Sequence, residues 1–438
     1  MRRFILFLSV SILLNNVHAQ IRDSAGSKSL EACIKYALEH QTNIRQSLID
    51  EQIRDREIKS VLSAWYPQIN FSGNYQNNFQ LPTAIINHQP QHTGTYNVSG
   101  GYFSLSQTLF DRDVIIAQQS SRDAQLIARQ NTTGTRIAVV SNVSKAFYDL
   151  LLSQEQIALL DTDIVLLQRS LKDAYNQYKG GLVDKTDYQR ATISLNNAYA
   201  LRKSASEQLG SRIAILKLYM SYPVGSPLQV VNDISKLEAE VSSVDTMIQV
   251  DINNRIEYQQ LNTQKRLQQA NLKYYQWGFL PTLSAYGQYN LNYYNNQFTH
   301  LYQSNYPNSY AGLILAFPIF HGTRRSQEVR IAKLQLERLN YNFSSLRDSI
   351  QVQFFEAMAA YKANLNNYFE QKENLSLARE VYNIIQLQYR AGIKSYLEVI
   401  TANNDLFSAQ VNYTNALFQV FSNKIDVERA MGTLKYNY

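Results

Sequence analysis

The chain has 438 residues, of which 18% are charged, and a formal net charge of +7 at neutral pH. This basic excess is modest and comes without a polybasic cluster, which argues against nucleic acid as a partner. The only cysteine, Cys33, has no second thiol for an internal disulfide and is expected to be a small buried residue of a helix.

The first nineteen residues have the pattern of a secretory signal peptide. Arg2 and Arg3 precede an apolar run from Phe4 to Leu14, and Val17-His18-Ala19 offers a cleavage site with small residues. That run is too short to span a bilayer, and no later stretch reaches 18 consecutive apolar residues. An exported chain that lacks membrane helices but contains 31 tyrosines is typical of bacterial outer-membrane proteins.

Two long windows of the chain contain no Asp, Glu, Lys or Arg, one from Ser60 to Phe110 and one from Tyr274 to Thr323. A helix predicted over 28–66, with Ser29 as its N-cap, leads into the first window and ends at Pro67. Inside both windows, apolar residues alternate with Ser, Asn and Gln at a period of two. This is the pattern of a membrane β-barrel strand, which has one face on lipid and the other on water. A half-buried strand of a soluble sheet also alternates, but it normally carries Lys or Glu on its wet face.

The alternation predicts two strand pairs, at about 68–110 and 281–320. The residues predicted to face lipid are Ile69, Phe71, Phe103, Leu105, Leu283, Leu313, Leu315 and Phe317. Four strands cannot close a barrel, and an open edge in lipid leaves backbone groups unpaired at a cost of several kcal/mol each. The chain must therefore oligomerise. Two copies would give a filled eight-stranded barrel, and three would give a twelve-stranded barrel with room for a channel.

A long helix is predicted after each strand pair. Apolar residues at 3-4 spacing predict a coiled-coil helix from Asp111 to Tyr178, which would be about 100 Å long at 1.5 Å per residue. A tip turn at 178–183, with Gly180 and Gly181 as a left-handed cap, leads to a return helix that ends near Tyr222.

The same order of elements then repeats. After a mixed connector at 223–245, a helix is predicted from Asp245 to Trp277, followed by the second strand pair, a long helix, a tip turn at 389–394 and a return helix. The sequence thus predicts two structural repeats, 20–222 and 246–438. The fold class is mainly α with a small β part, built from duplicated long-helix hairpins.

Three features carry a resemblance to a known family. They are the two strand pairs, the turn Tyr389-Arg390-Ala391-Gly392-Ile393 with its counterpart at Tyr178, and the C-terminal segment from Asn423-Lys424-Ile425 to Met431-Gly432-Thr433-Leu434. On these residues the chain resembles the TolC-type outer membrane efflux proteins, which are the exit ducts of tripartite efflux pumps and type I secretion systems. The resemblance implies a homotrimer with a 12-stranded transmembrane β-barrel on top of an α-helical periplasmic barrel. It also implies two kinds of partner, a periplasmic adaptor (membrane fusion protein) and an inner-membrane RND or ABC-type transporter, and no cofactor.

The resemblance assigns roles to the two tips. Adaptor contact falls on Gly180, Gly181, Leu182, Ala391, Gly392 and Ile393, although these residues could serve only to reverse the chain. The candidates for a periplasmic gate are Tyr389, Lys394, Glu398 and Asp187. Here too a structural role is open, because Ser395 and Glu398 form the pattern of a capping box and Tyr389 could be an interhelical packing residue.

No enzyme motif is visible in the sequence. The six histidines are scattered, and only His88 and His92 are close, in a loop with Pro90 between them. No catalytic triad, phosphate loop or metal-binding motif is present. The predicted function is a passive outer-membrane export channel. The alternatives are a soluble periplasmic coiled-coil scaffold and a stand-alone diffusion porin.

Overall fold

The computed structural model describes residues 28–86, 88–231, 234–241 and 249–438, apart from the side chain of Ser235. The predicted signal peptide lies outside the described residues, as does part of the predicted connector. In the described residues most of the chain is helical and a small part is strand, so the predicted class is confirmed.

Two helical hairpins of matching length dominate the fold. Helices α3 (Arg112–Lys179) and α7 (Arg324–Arg390) have 68 and 67 residues, and each would extend about 100 Å at 1.5 Å per residue. Their return helices α4 (Lys185–Met220) and α8 (Tyr396–Met431) have 36 residues each. Helix α3 packs on α4, α7 packs on α8, and the two hairpins meet where α3 contacts α8.

The helix predicted over 28–66 is two helices, α1 (Leu30–His40) and α2 (Thr42–Leu62), followed by a single 3-10 turn. Ser29 caps α1 as predicted, because its side chain accepts a hydrogen bond from the Ala32 amide. The break falls at Gln41, whose backbone is extended and whose side chain accepts hydrogen bonds from the first amides of α2. Gln41 thus acts as an N-cap, although this role usually falls to a shorter side chain, and it divides the predicted helix in two.

The helix predicted from Asp245 begins later. Helix α6 runs from Ile256 to Gln276, and the described residues 249–255 directly before it hold only the 3-10 turn Ile252–Asn254. Asp251 causes this delay, because its side chain accepts from the Asn253 amide and caps the short turn. In the connector, helix α5 spans Ile234–Glu240, and a parallel bridge joins Lys28 to Val230.

Four strands form one antiparallel sheet in the order β1-β4-β5-β6. Their bounds are Gln68–Asn77 for β1, Asn97–Phe110 for β4, Thr282–Asn295 for β5 and Asn308–Ala316 for β6. Between β1 and β4 a separate hairpin, β2 (Thr83–Ile86) with β3 (Gln89–His92), was not predicted. Strands β1 and β6 are the two edges of the sheet, and each has a neighbouring strand on one side only among the described residues.

The main hydrophobic core lies where the helices of both hairpins meet α1 and the connector. It contains Phe147 from α3, Tyr361 from α7 and Phe421 from α8, and Cys33 lies in it as predicted. Burial raises the pKa of the Cys33 thiol to about 12. Within the described ranges, no helix combines the length and the apolar character that crossing a membrane requires.

Candidate functional site: the sheet and the hairpin tips

The register of the sheet decides which side chains share a face. Ile69 lies opposite Leu105, Phe71 opposite Phe103, and Leu283 opposite Leu315. Residues opposite each other in an antiparallel ladder point to the same side, and so do alternate residues along a strand. One face therefore carries most of the residues predicted to contact lipid, namely Ile69, Phe71, Phe103, Leu105, Leu283, Leu313 and Leu315. We call it the apolar face.

The opposite face is polar but carries no charge, and we call it the polar face. One row across it consists of Asn70, Ser104, Gln288 and Tyr310. Tyr310 donates a hydrogen bond of 2.6 Å to the Gln288 side chain, and in the next row Asn290 donates one of 2.7 Å to Asn308. Such side chains can line a water-filled passage.

Phe317, predicted to be a strand residue, lies just beyond β6. The last pair of that ladder is Thr282 opposite Ala316. The next pair would set Phe317 against Pro281, which has no amide hydrogen to donate. In the single chain Phe317 therefore lies outside the strand, and its side chain is 60% exposed.

A short 3-10 segment, Phe298–Gln303, packs on the apolar face at the end of the sheet away from the helices. The Phe298 ring meets the Tyr75 ring edge-on, and the Tyr302 hydroxyl donates to Ser99. Tyr75 and Ser99 are opposite each other on that face, and Leu301 is the buried residue of the segment. The sequence did not predict this contact, because nothing in a loop pattern shows to which face a loop folds.

The two tip turns have the same geometry. Gly181 and Gly392 have φ of +74° and +75°, the left-handed conformation that glycine adopts without steric cost. The amides of the next residues, Leu182 and Ile393, each donate a hydrogen bond of 2.9 Å back into the long helix. Gly180 was predicted to share the left-handed cap, but it is right-handed with φ of −75°, so the cap needs only one glycine.

Apolar side chains are exposed at both tips. Leu182 is 79% and Ile393 is 71% exposed, at equivalent positions of the two turns. In a helix C-cap of this kind, the residue after the left-handed glycine usually packs against the last turn of its own helix. Gly180 and Ala391 next to them are exposed as well. The tips thus offer two small apolar surfaces to a partner.

Tyr389 joins the two hairpins near their tips. Its hydroxyl donates a hydrogen bond of 2.7 Å to the Gln177 side chain at the end of α3. The ring is buried among Ala174, Ala191 and Tyr396, which belong to α3, α4 and α8. Burial, together with the carboxylates of Asp187 and Asp173, raises the pKa of Tyr389 to about 12. A tyrosine hydroxyl is neutral at physiological pH even without this shift, and here it donates to Gln177.

Lys394 and Glu398 pair with each other at the start of α8. The Lys394 ammonium donates to Glu398 at 2.6 Å, and the other Glu398 oxygen accepts from the Ser395 amide at 2.9 Å. The capping box considered for Ser395 and Glu398 is present. The hydrogen bond from Lys394 is the main reason why the pKa of Glu398 is lowered. In the other hairpin, Asp184 caps α4 through the Thr186 amide.

Gln177 is the residue of this site that the sequence did not single out. Its counterpart in the second hairpin is Gln388, and both are ordinary polar residues of a long helix, so no pattern distinguished them. Among the described residues there is no group of three or more His, Cys, Asp or Glu side chains that could hold a metal ion. His92 instead makes a hydrogen bond of 3.2 Å with Thr83 in the β2–β3 hairpin.

Comparison with known proteins decides the family. The sequence model described as "Outer membrane efflux protein" matches residues 33–218 and 248–433, which is most of the chain. The chain belongs to the outer membrane efflux protein family. Its predicted membership of this TolC-type group is confirmed, and so is its location in the outer membrane.

Individual relatives of this efflux protein are distant in sequence. It is 20% identical to outer membrane protein TolC of Escherichia coli (strain K12), over 89% of this chain and 79% of TolC. It is also 20% identical to a probable efflux pump outer membrane protein, TtgC of Pseudomonas putida, over 78% of this chain and 69% of TtgC. The Campylobacter jejuni CmeC outer membrane channel shares the fold, with a TM-score of 0.72 at 17% identity over 93% of this chain and 87% of CmeC.

Proposed function

We propose that three copies of this chain form an outer-membrane duct, the exit channel of a tripartite efflux pump or a type I secretion system. The observation that carries the proposal is the sheet, which has two open edges, an apolar face and an uncharged polar face. Open edges in lipid cost several kcal/mol per unpaired backbone group, and three sheets that pair edge to edge remove them. The resulting twelve strands leave room for a passage lined by the polar face.

In this proposal the residues of the apolar face contact outer-membrane lipid, and the helical hairpins continue the wall through the periplasm. The repeats 20–222 and 246–438, joined by the connector 223–245, each supply two strands and one hairpin. The length of α3 and α7, about 100 Å, is the reason to prefer a duct over a stand-alone porin, since a porin has no use for such helices.

The tips at 178–183 and 389–394 are the proposed working end. The exposed residues Gly180, Gly181, Leu182, Ala391, Gly392 and Ile393 contact a periplasmic adaptor. Tyr389, Lys394, Glu398 and Asp187 hold the end closed until the adaptor binds. Transport through the duct is passive, and an inner-membrane RND or ABC-type transporter supplies the energy. Because the relative TtgC is described as a probable efflux pump outer membrane protein, we favour an efflux pump over a secretion system as the complex that uses this duct.

Single-channel conductance in a planar bilayer tests the proposal. The comparison is between the wild type and the tip variant Tyr389→Phe with Lys394→Ser. We expect a low conductance in the wild type and a clear rise in the variant, because the variant removes the bond to Gln177 and the pair with Glu398. The matched control is Tyr178→Phe with Val183→Ser, the equivalent positions of the first hairpin, for which no rise is expected.

Two results would contradict the proposal. A large, steady conductance in the wild type that the tip variant leaves unchanged would indicate a diffusion porin. A protein that stays soluble without detergent and never inserts into the bilayer would indicate a periplasmic scaffold.

A further inference from the structure

The two strand pairs of the sheet superpose in register. The β1–β4 ladder ends with Gln68 opposite Ser106, and the β5–β6 ladder ends with Thr282 opposite Ala316. Gln68 and Thr282 lie 214 residues apart, and Ser106 and Ala316 lie 210 apart. These two offsets map nine of the ten pairs of the first ladder onto the nine pairs of the second, and only Asn77 opposite Asn97 has no equivalent. Strand β5 is thus the counterpart of β1, and β6 is the counterpart of β4.

One difference between the counterparts stands out. Strand β4 does not end at Ser106 but continues to Phe110, because β5 pairs with it on its other side. The counterpart of this extension is Phe317-Pro318-Ile319-Phe320, which forms no strand in the single chain. Three of these residues are strongly exposed, Phe317 at 60%, Ile319 at 91% and Phe320 at 83%. The four residues that directly follow β6 thus include three exposed apolar side chains and have no partner strand in the single chain.

We propose that the 317–320 segment completes β6 by pairing with β1 of a second copy of this chain, in the register that β4 and β5 already use. The proposal rests on the trimeric barrel proposed above and specifies its subunit junction. The β4–β5 ladder places Phe103 opposite Tyr289 and Gln107 opposite Ala285. At the junction, β6 takes the place of its counterpart β4, and β1 of the second copy takes the place of its counterpart β5. The two offsets then set Leu313 opposite the second copy's Tyr75, and Phe317 opposite its Phe71.

The chemistry of the transferred pairs fits the faces of the sheet. Leu313 and Tyr75 both belong to the apolar face, as does Phe71. Within the chain, Phe71 already packs on Phe103 with ring centroids 4.8 Å apart, and the junction would place Phe317 on its other side. The β4–β5 ladder is irregular between Thr108 and Phe110. The same irregularity at the proposed junction would fall directly after Pro318. Proline is tolerated in a strand at bulges and at sheet edges.

Disulfide cross-linking of the detergent-solubilised protein tests the register. A cysteine is introduced by Leu313→Cys and combined in turn with Gly73→Cys, Tyr75→Cys or Asn77→Cys. All three partners lie on one face of β1, but only directly opposite residues bring their Cα atoms within the 4.4–6.8 Å that a disulfide spans. We expect covalent dimers and trimers on a denaturing gel with Tyr75→Cys and none with the other two.

An intramolecular pair is the matched control. Leu313→Cys with Ala285→Cys, which are opposite each other within the β5–β6 ladder, should form a disulfide without any covalent oligomer. The native Cys33 is buried and its pKa is raised, so variants with only one introduced cysteine should form no disulfide with it.

The possible failures can be told apart. Linkage to position 73 or 77 in a trimer that still conducts ions would overturn the register and leave the proposed duct intact. A protein that forms no trimer and no channel would overturn the duct itself. Amide hydrogen exchange of the unmodified trimer is a second, independent test of the proposal. We expect residues 317–320 to be protected like 107–110 of β4, and exchange at the rate of an open loop would overturn the proposal.

Discussion

The Tyr389 hydroxyl donates a hydrogen bond to the side chain of Gln177, which lies 212 residues earlier in the chain. The bond connects the far ends of the two longest helices, where no loop or strand joins the hairpins. Because the Tyr389 ring is also buried against three other helices, this residue combines apolar packing with one directional contact. It is therefore suited to fix the relative position of the two tips.

A double-mutant cycle should detect this bond. We expect Tyr389→Phe to destabilise the protein by about 1 kcal/mol, the usual net value of one hydrogen bond, because the ring packing is kept and only the hydroxyl is lost. Gln177→Met should cost a similar amount, and the double variant should cost no more than either single variant. Thermal unfolding in detergent, followed by circular dichroism, measures this. Tyr178→Phe is the control, since the Tyr178 ring is partly exposed and stacks on Tyr188. Additive losses would show that the two side chains do not interact.

The tip glycines should differ in their tolerance of a side chain. Gly181→Ala and Gly392→Ala force a Cβ into the left-handed conformation, and each should cost roughly 1–2 kcal/mol. Gly180→Ala is the matched control, because Gly180 is right-handed and its counterpart in the second tip is already Ala391. We expect this variant to be neutral or slightly stabilising in thermal unfolding. A loss at Gly180 equal to that at Gly181 would contradict the assigned tip geometry.

The exposed apolar residues at the tips should matter for assembly and not for folding. We expect Leu182→Ser with Ile393→Ser to weaken binding of a periplasmic adaptor in a pull-down, because each substitution removes apolar surface that adaptor contact would bury. The melting temperature should stay unchanged, since both side chains are exposed. Val224→Ser is the control, an equally exposed apolar residue far from the tips. Equal adaptor binding by the variant and the control would argue against adaptor contact at the tips.

The two faces of the sheet should respond differently to a charge. Phe103→Arg places a guanidinium on the apolar face, where Arg near the middle of a bilayer costs about 2–4 kcal/mol. We expect poor membrane insertion and a loss of the proposed trimer in chemical cross-linking. Ser104→Arg, one residue along the same strand, lies on the polar face and should insert normally while changing the ion selectivity of the channel. If both variants inserted equally well, neither face would contact lipid.

The alternation within each strand was sufficient to group Ile69, Phe71, Phe103 and Leu105, and the register places them on one face. The reason is that a period of two depends only on the strand itself. The order β1-β4-β5-β6 could not be obtained this way, because the pairing of β4 with β5 joins segments that are far apart in the chain. The β2–β3 hairpin was not predicted because Pro90 within β3 is normally a signal against a strand.

At the tips, sequence reasoning located Tyr389, Lys394 and Glu398 but not Gln177, the partner of Tyr389. A side chain that contacts its own helix one turn away, as Lys394 contacts Glu398, follows from sequence spacing. The contact of Tyr389 with Gln177 depends on how two hairpins pack, which spacing does not reveal. Gln41 shows the same limit at a smaller scale, because a good helix former breaks the helical run through a side-chain cap.

The sheet also determines the order in which this protein can fold. Strands β1 and β4 are near neighbours in the chain and can meet early, as can β5 and β6. Strand β4 can meet β5 only after the whole segment between Phe110 and Thr282 has folded back on itself, and such distant contacts slow folding because the entropy of closing the loop is lost first. Docking of α3 against α8 and α6 would bring the two strand pairs together. On this argument, docking of the helices would precede completion of the four-stranded sheet.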